Sequence, residues 1–337
     1  MKLTARIEQL PLHDKFTISR GSTEVSETVI VELTKDGVVG RGEALPISYY
    51  GLGPTETQAR LEALGPWLSR QDPWAFRPLL EEVSARSDGD SSVVCALDLA
   101  LHDWVGKKLG TPLYRWLGLR PHPLPETSFT IGIDSVENMV EKLRRASSLP
   151  IIKVKLGTDR DLEIITALRR ETSATLRVDA NCGWTPRETI EKSHALAALG
   201  VEFIEQPLAA EALDDMEEVF AHSALPLFAD ENSVGPADVP QLCGRFHGIN
   251  IKLVKCGGIR PALRMIDLAR MFDLKIMLGC MVESSLAITA AAHLAPLVDY
   301  LDLDGPLLVA KDPFRGVEYE GAKLRLPSGP GLGVEPR

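Results

Sequence analysis

Five short stretches in the second half of the chain constrain its fold more than any other feature. They are Lys153-Val154-Lys155, Asp179-Ala180-Asn181, Glu205-Gln206-Pro207, Asp230-Glu231-Asn232 and Asn250-Ile251-Lys252-Leu253. Each closes an apolar run rich in β-branched residues and precedes a segment with helix signals. The charged positions recur at intervals of 24, 26, 25 and 22 residues. An eight-unit parallel barrel takes about 250 residues, a repeat of this order. The spacing therefore sets Lys155, Asp179, Glu205, Asp230 and Lys252 at the C-terminal ends of five consecutive strands. In a barrel those ends ring one pocket.

The rest of the chain agrees with that frame. Residues 1 to about 45 read as an antiparallel meander, with Thr28–Leu33 and Val38–Ala44 as strands around a Lys35-Asp36-Gly37 turn. Phe16–Ser22 and Pro46–Pro54 read as loops. Thr55 with Gln58 reads as a capping box, and Ser91–Leu109 as a helix stopped by Gly110-Thr111-Pro112. His102 on that helix reads as a packed histidine. Eight strands then follow near residues 127–133, 151–156, 175–179, 203–205, 227–230, 248–253, 276–278 and 300–303, with helices such as 136–145, 161–170, 186–199, 261–271 and 286–294 between them. This alternation fits a (β/α) barrel better than an open sheet.

Composition excludes several roles. The 337 residues suggest two domains, or one large domain with an addition. The net charge of −10 and the lack of a basic run argue against nucleic acid. The first residues carry interleaved charges and no apolar signal core. The most apolar window, 285–298, is too short to span a bilayer. Five cysteines without a C-x-x-C pair read as reduced thiols of a cytoplasmic protein. Cys182 and Cys280 fall near strand ends, where they either touch the pocket or fill space.

Asp179, Glu205 and Asp230 offer three hard oxygen donors on adjacent strands, a set that suits one Mg²⁺ and disfavours Zn²⁺. Lys153 and Lys155 lie two apart, so both face the barrel interior. Two neighbouring buried ammonium groups depress each other's pKa, which would make Lys155 a base near neutrality. Lys252 lies four strands away, on the opposite wall. Two lysines flanking a metal-bound carbon acid can remove a proton from one face and return it to the other. Lys255 would point to the other side of a regular strand and is the second choice as base.

These motifs, in this order and spacing, resemble the enolase superfamily in its muconate-lactonizing-enzyme subgroup, and the resemblance covers nearly the whole chain. It implies a (β/α)7β TIM-type barrel over 121–312 and an α+β capping domain over 1–120, completed by the Gly- and Pro-rich segment 313–337. It selects Lys155 and Lys252 as the acid/base pair, with Lys153 in support. Pairing a lysine base with Mg²⁺ is a general property of that superfamily. Asp302-Leu303-Asp304 looks like the D-x-D motif of its dipeptide epimerases, which receives the substrate's ammonium. Two same-side carboxylates suit that role physically. Arg20 matches an arginine that grips a side-chain carboxylate in alanyl-glutamate epimerases, a task for a bidentate guanidinium; it reads otherwise as a surface residue. Tyr49 and Tyr50, in a second capping loop, wall the pocket or pack. Glu283 and Ser284 match a pocket-lining position.

Two cysteines depart from the pattern, Cys182 after Asp-Ala-Asn and Cys280 where Ser is common, and they bear on dipeptide preference. The resemblance implies a Mg²⁺-dependent epimerase of dipeptides, L-Ala-D/L-Glu first among them. o-Succinylbenzoate synthase or a muconate-type cycloisomerase is the alternative, and a non-catalytic small-molecule binding protein a further one. No nucleic-acid or membrane partner is expected, and a homo-oligomer stays open.

Overall fold

The structure, a computed structural model, describes residues 1–46 and 53–337. Three antiparallel strands open it: β1 (Lys2–Ile18), β2 (Gly21–Lys35) and β3 (Val38–Ala44). The Asp36-Gly37 turn holds both residues at positive φ, the geometry a two-residue hairpin loop requires. The segment read as a loop at Phe16–Ser22 is mostly strand. Phe16, Thr17 and Ile18 pair with Thr23, Ser22 and Gly21, and only Ser19 and Arg20 form the tip.

Helices α1 (Pro54–Leu68), α2 (Phe76–Arg86) and α3 (Ser91–Leu109) follow, then a single turn, α4 (Leu113–Trp116). The first cap is two residues earlier than Thr55. Gly53 is the N-cap, and its N–H donates to Glu56 at 2.7 Å. Proline at the first helical position fixes this start. Helix α3 ends as read, on Gly110 in the left-handed region. It lies so close to β3 that a Cβ on Gly42 would come within 1.9 Å of the Ala96 carbonyl oxygen.

The barrel follows. Its strands are β4 (Phe129–Ile131), β5 (Ile151–Lys155), β6 (Thr175–Asp179), β7 (Val201–Glu205), β8 (Leu227–Ala229), β9 (Gly248–Ile251), β10 (Lys275–Gly279) and β11 (Tyr300–Asp302). They pair in parallel in chain order. A bridge from Thr127 to Leu301 brings the first strand back to the last. Between them run α5 (Val136–Arg145), α6 (Asp161–Glu171), α7 (Pro186–Ala198), α8 (Met216–His222), the single turn α9 (Leu253–Cys256), α10 (Ile259–Met271) and α11 (Ser285–Ala292). A short α12 (Gly305–Leu308) follows β11, and the chain ends in four short strands, β12 (Phe314–Arg315), β13 (Glu318–Glu320), β14 (Lys323–Arg325) and β15 (Glu335–Pro336).

One core runs from the barrel strands to the surrounding helices, and a second fills the space between the meander and α1–α3. The floor of the barrel is aromatic: Phe203, Phe228 and Tyr300 pack with Met277, and the Arg177 guanidinium lies over the Phe203 and Tyr300 rings. Three buried carboxylates tie the meander and α3 to the rest. Glu43 accepts from the Ser284 and Ala287 N–H groups at the start of α11. Asp98 accepts from Ile259 N–H at the start of α10. Asp103 accepts from Leu332 N–H in the C-terminal segment. The first two sit at helix N-termini, where unpaired amides and the helix dipole favour an anion.

Candidate active site

Side chains two apart on a barrel strand point the same way, so each strand end presents one inward group to the pocket. In register, Lys155 lies beside Asp179 and Asp179 beside Glu205. The result is a cavity of about 620 Å³ whose lining includes Lys155, Lys252, Lys255, Asp302, Asp304 and Arg20. One carboxylate oxygen each from Asp179, Glu205 and Asp230 lies within 4.8 Å of the other two. All three residues are buried.

The lysines stand on two sides of this triad. Lys155 Nζ donates to Asp179 Oδ2 at 2.6 Å, and Lys252 Nζ to Asp230 Oδ2 at 2.7 Å. Lys153 sits lower, within 2.6 Å of Glu205 Oε2, 3.2 Å of Asp179 and 2.8 Å of Asp302. Asn250 Nδ2 donates to the other Glu205 oxygen at 2.7 Å. Burial works against charge on Asp179, yet Lys155 and Lys153 hold its carboxyl below the usual range. Asp230 is held lower still by Lys252 and Lys255, against the same burial penalty. Burial, with Asp179 next to it, pushes Glu205 up to about 7.

The expectation that Lys153 and Lys155 lower each other fails for Lys153. Burial alone would lower Lys153 and Lys252, but the carboxylates facing them win. Asp302 and Glu205 raise Lys153, and Asp230 and Glu205 raise Lys252. Each of these two ammonium groups has a carboxylate within 2.7 Å, supplied by another strand.

The position expected of Lys255 is also corrected. The strand stops at Ile251, and the α9 turn swings Lys255 back into the barrel mouth. There its Nζ donates to Asp230 Oδ1 and to the Asp230 carbonyl, both at 2.5 Å, and to the Asn250 carbonyl at 3.3 Å. Two other residues escaped the sequence reading although they lie in its motifs. Gln206 accepts from the Asp230 and Asn232 N–H groups and donates to Asn232 Oδ1, bracing the loops after two metal-triad strands. Glu231 binds Arg20. The second letters of the doublets E-Q and D-E are the signals for both.

Asp302 and Asp304 enter the same cavity. Asp302 accepts from Lys153 at 2.8 Å and from the Ser128 hydroxyl at 2.6 Å; Asp304 accepts from Thr130 N–H at 2.6 Å. Despite burial, Lys153 holds Asp302 down at about 2, whereas burial and its neighbour Asp302 push Asp304 up to about 7. Arg20 reaches the rim from the hairpin tip, with Nη2 2.6 Å from Glu231 Oε1 and Nη1 donating to the Asn181 carbonyl. Tyr49 and Tyr50 lie outside the described residues. Cys280 lines the cavity with Met281 and Val282. Glu283 lies behind that wall, its carboxylate accepting from Met281 N–H, while Ser284 caps α11. The five cysteines form no disulfide.

Six buried carboxylates (Asp179, Glu205, Asp230, Glu231, Asp302, Asp304) face four buried ammonium groups (Lys153, Lys155, Lys252, Lys255). Arg20 adds one cation at the edge. Buried charge is tolerated only when compensated, so keeping all six ionised, Glu205 and Asp304 included, calls for further positive charge. Three converging carboxylates with no sulfur or imidazole donor fit a hard divalent ion such as Mg²⁺.

Comparison with known proteins agrees with this geometry. Residues 135–337 match the family model described as enolase C-terminal domain-like, and residues 1–118 match that of the mandelate racemase / muconate lactonizing enzyme N-terminal domain. The chain belongs to this branch of the enolase superfamily. An L-Ala-D/L-amino acid epimerase from Maribacter is 42% identical over 99% of both chains. Among solved structures, a substrate-liganded L-Ala-D/L-Glu epimerase from Bacillus subtilis superposes with a TM-score of 0.94 at 31% identity, covering 99% of both chains. A dipeptide epimerase from Methylococcus capsulatus, complexed with Mg and L-Arg-D-Lys, gives 0.91 at 36% identity, again over 99% of both. No helix among the described residues is long and apolar enough to cross a membrane.

Proposed function

We infer that this protein is a Mg²⁺-dependent dipeptide epimerase that inverts the α-carbon of the C-terminal residue. The observation that carries the reading is the pair of lysines, each hydrogen-bonded to a different carboxylate of the triad. A pure binding protein has no use for two acid/base groups across one cavity. Asp179, Glu205 and Asp230 hold the metal, which supplies positive charge against the substrate's α-carboxylate, where negative charge grows as the α-proton leaves. Lys155 serves one face of the α-carbon and Lys252 the other; the neutral one removes the proton while the other, protonated, delivers its own, and a metal on the triad would offset the carboxylate charge that raises Lys252. Lys153 anchors the floor of the site through Glu205 and Asp302. Asp302 and Asp304 receive the dipeptide's ammonium group, which a succinylbenzoate or muconate substrate lacks.

L-Ala-D/L-Glu is the leading substrate. Arg20 exchanges Glu231 for the substrate's side-chain carboxylate, which it binds as a planar fork. The reduced cysteines support a cytoplasmic location. The test is incubation of L,L- and L,D-dipeptides in D₂O, read by mass spectrometry. With wild-type protein and Mg²⁺ the dipeptide gains one deuterium at its α-carbon and its isomers interconvert. Lys155→Ala and Lys252→Ala each abolish epimerisation and each retain exchange from one isomer only. Absence of deuterium uptake with every dipeptide would overturn the reading.

A further inference from the structure

Asp302 is held by a different partner at each oxygen. Lys153 Nζ donates to Oδ2 at 2.8 Å, and the Ser128 hydroxyl donates to Oδ1 at 2.6 Å. All three residues are buried. An ammonium beside a carboxylate draws both of its oxygens, and a carboxylate turned wholly to Lys153 has little left for a ligand. Ser128 opposes that turn, because it binds the oxygen that Lys153 does not. The Thr130 hydroxyl, 3.5 Å from the same oxygen, is too distant to replace it.

Ser128 has one hydroxyl proton and two acceptors in reach. The Leu301 carbonyl lies 3.4 Å from its Oγ, against 2.6 Å for Asp302. Two other donors serve that carbonyl, the Ser128 N–H at 3.1 Å and Arg177 Nη1 at 3.3 Å. They fill both of its lone pairs, and the hydroxyl proton is left to Asp302. Arg177 is itself fixed by Glu202 at 2.7 Å and by the Phe203 and Tyr300 rings of the barrel floor. Beside Ser128, Thr127 Oγ1 accepts from Leu303 N–H at 2.8 Å, which fastens the residue between the two acids. We propose that Ser128 is a positioning residue for dipeptide binding. Its hydroxyl orients Asp302 toward the substrate's ammonium group, and Arg177, from the floor, keeps that hydroxyl from turning to the backbone. This rests on the epimerase reading above and adds the residue that sets its ammonium site.

The test is steady-state kinetics of L-Ala-L-Glu with Ser128→Ala, Ser128→Thr and Ser128→Val. Ser128→Ala should raise KM about tenfold, the size of one hydrogen bond to a charged group, and leave kcat within about twofold. Thr keeps the hydroxyl and Val has nearly its shape without it, so KM for Ser128→Val should exceed that for Ser128→Thr by about tenfold. Partial unfolding lowers the active fraction and with it kcat, but does not move KM. Ser128→Ala adds no bulk and decides the matter alone if the larger residues prevent folding. An unchanged KM in Ser128→Ala, or equal KM values for folded Thr and Val variants, overturns the role of Ser128 and leaves the epimerase reading standing. Wild-type protein inactive on every dipeptide overturns both.

Discussion

Replacing Lys255 by methionine tests how the site is held together. The substitution keeps an unbranched stem and removes the ammonium that contacts Asp230 through both its side chain and its carbonyl. Lys255 is 1% exposed at its side chain and Asp230 4%, so water does not take the ammonium's place. Removing one partner of a buried ion pair costs about 3–5 kcal/mol. Asp230 retains Lys252 at 2.7 Å, which places the loss at the lower end, about 3 kcal/mol. At roughly 2–4 °C per kcal/mol for a domain of some 200 residues, the metal-free protein should melt about 6–12 °C lower. Thermal unfolding followed by circular dichroism in EDTA is the right assay. Mg²⁺ affinity is a poorer one, because two effects oppose there: losing a nearby cation strengthens metal binding and loosening Asp230 weakens it. Melting within 2 °C of wild type would refute the claim that Lys255 fastens Asp230.

Asp304, raised to about 7, loses its charge as pH falls; kcat/KM should drop roughly tenfold from pH 8 to pH 6 as the ammonium site weakens, and Asp304→Asn should remove that dependence. Glu283 and, without metal, Glu205 are also raised to about 7, so the variant is what assigns the titration. His293 is buried, accepts from Tyr114 N–H and donates to the Leu332 carbonyl, with its pKa lowered by burial to about 4. Both folded and unfolded states are neutral there above pH 6.5; between 6.5 and 4 the unfolded chain binds the proton first, so about 3 kcal/mol of stability is lost as pH falls. Denaturant titrations should show that slope, and it should flatten in His293→Gln; His102, raised by Asp98 despite burial, has the opposite sign. Arg20→Met should lower kcat/KM for L-Ala-L-Glu roughly tenfold to a hundredfold and leave L-Ala-L-Leu within a few-fold.

The barrel and its charged ends were legible because a closed sheet forces inward groups to recur once per βα unit. Thr175–Asp179 and Val136–Arg145 have the bounds their residues suggested. What failed was local reorientation. Nothing in Leu253-Val254-Lys255 announces a single helical turn after a strand, and that turn decides where Lys255 points. Phe16–Ile18 reads as part of a loop with Ser19–Ser22, yet pairing with β2 extends the hairpin almost to its tip. The expected shift at Lys153 failed for a different reason: its sign depends on carboxylates brought in from other strands, which spacing along one strand does not reveal.

Glu43, Asp98 and Asp103 each spend a buried charge on a backbone amide in the other half of the molecule. A foreign meander and helical layer set on this barrel would need acids at the same three places, or leave the α10 and α11 helix starts without their anions. The halves are therefore not interchangeable parts. Point substitutions at the hairpin tip around Arg20 leave these three ties intact, so the rim of the site can vary while the seam between the halves stays fixed.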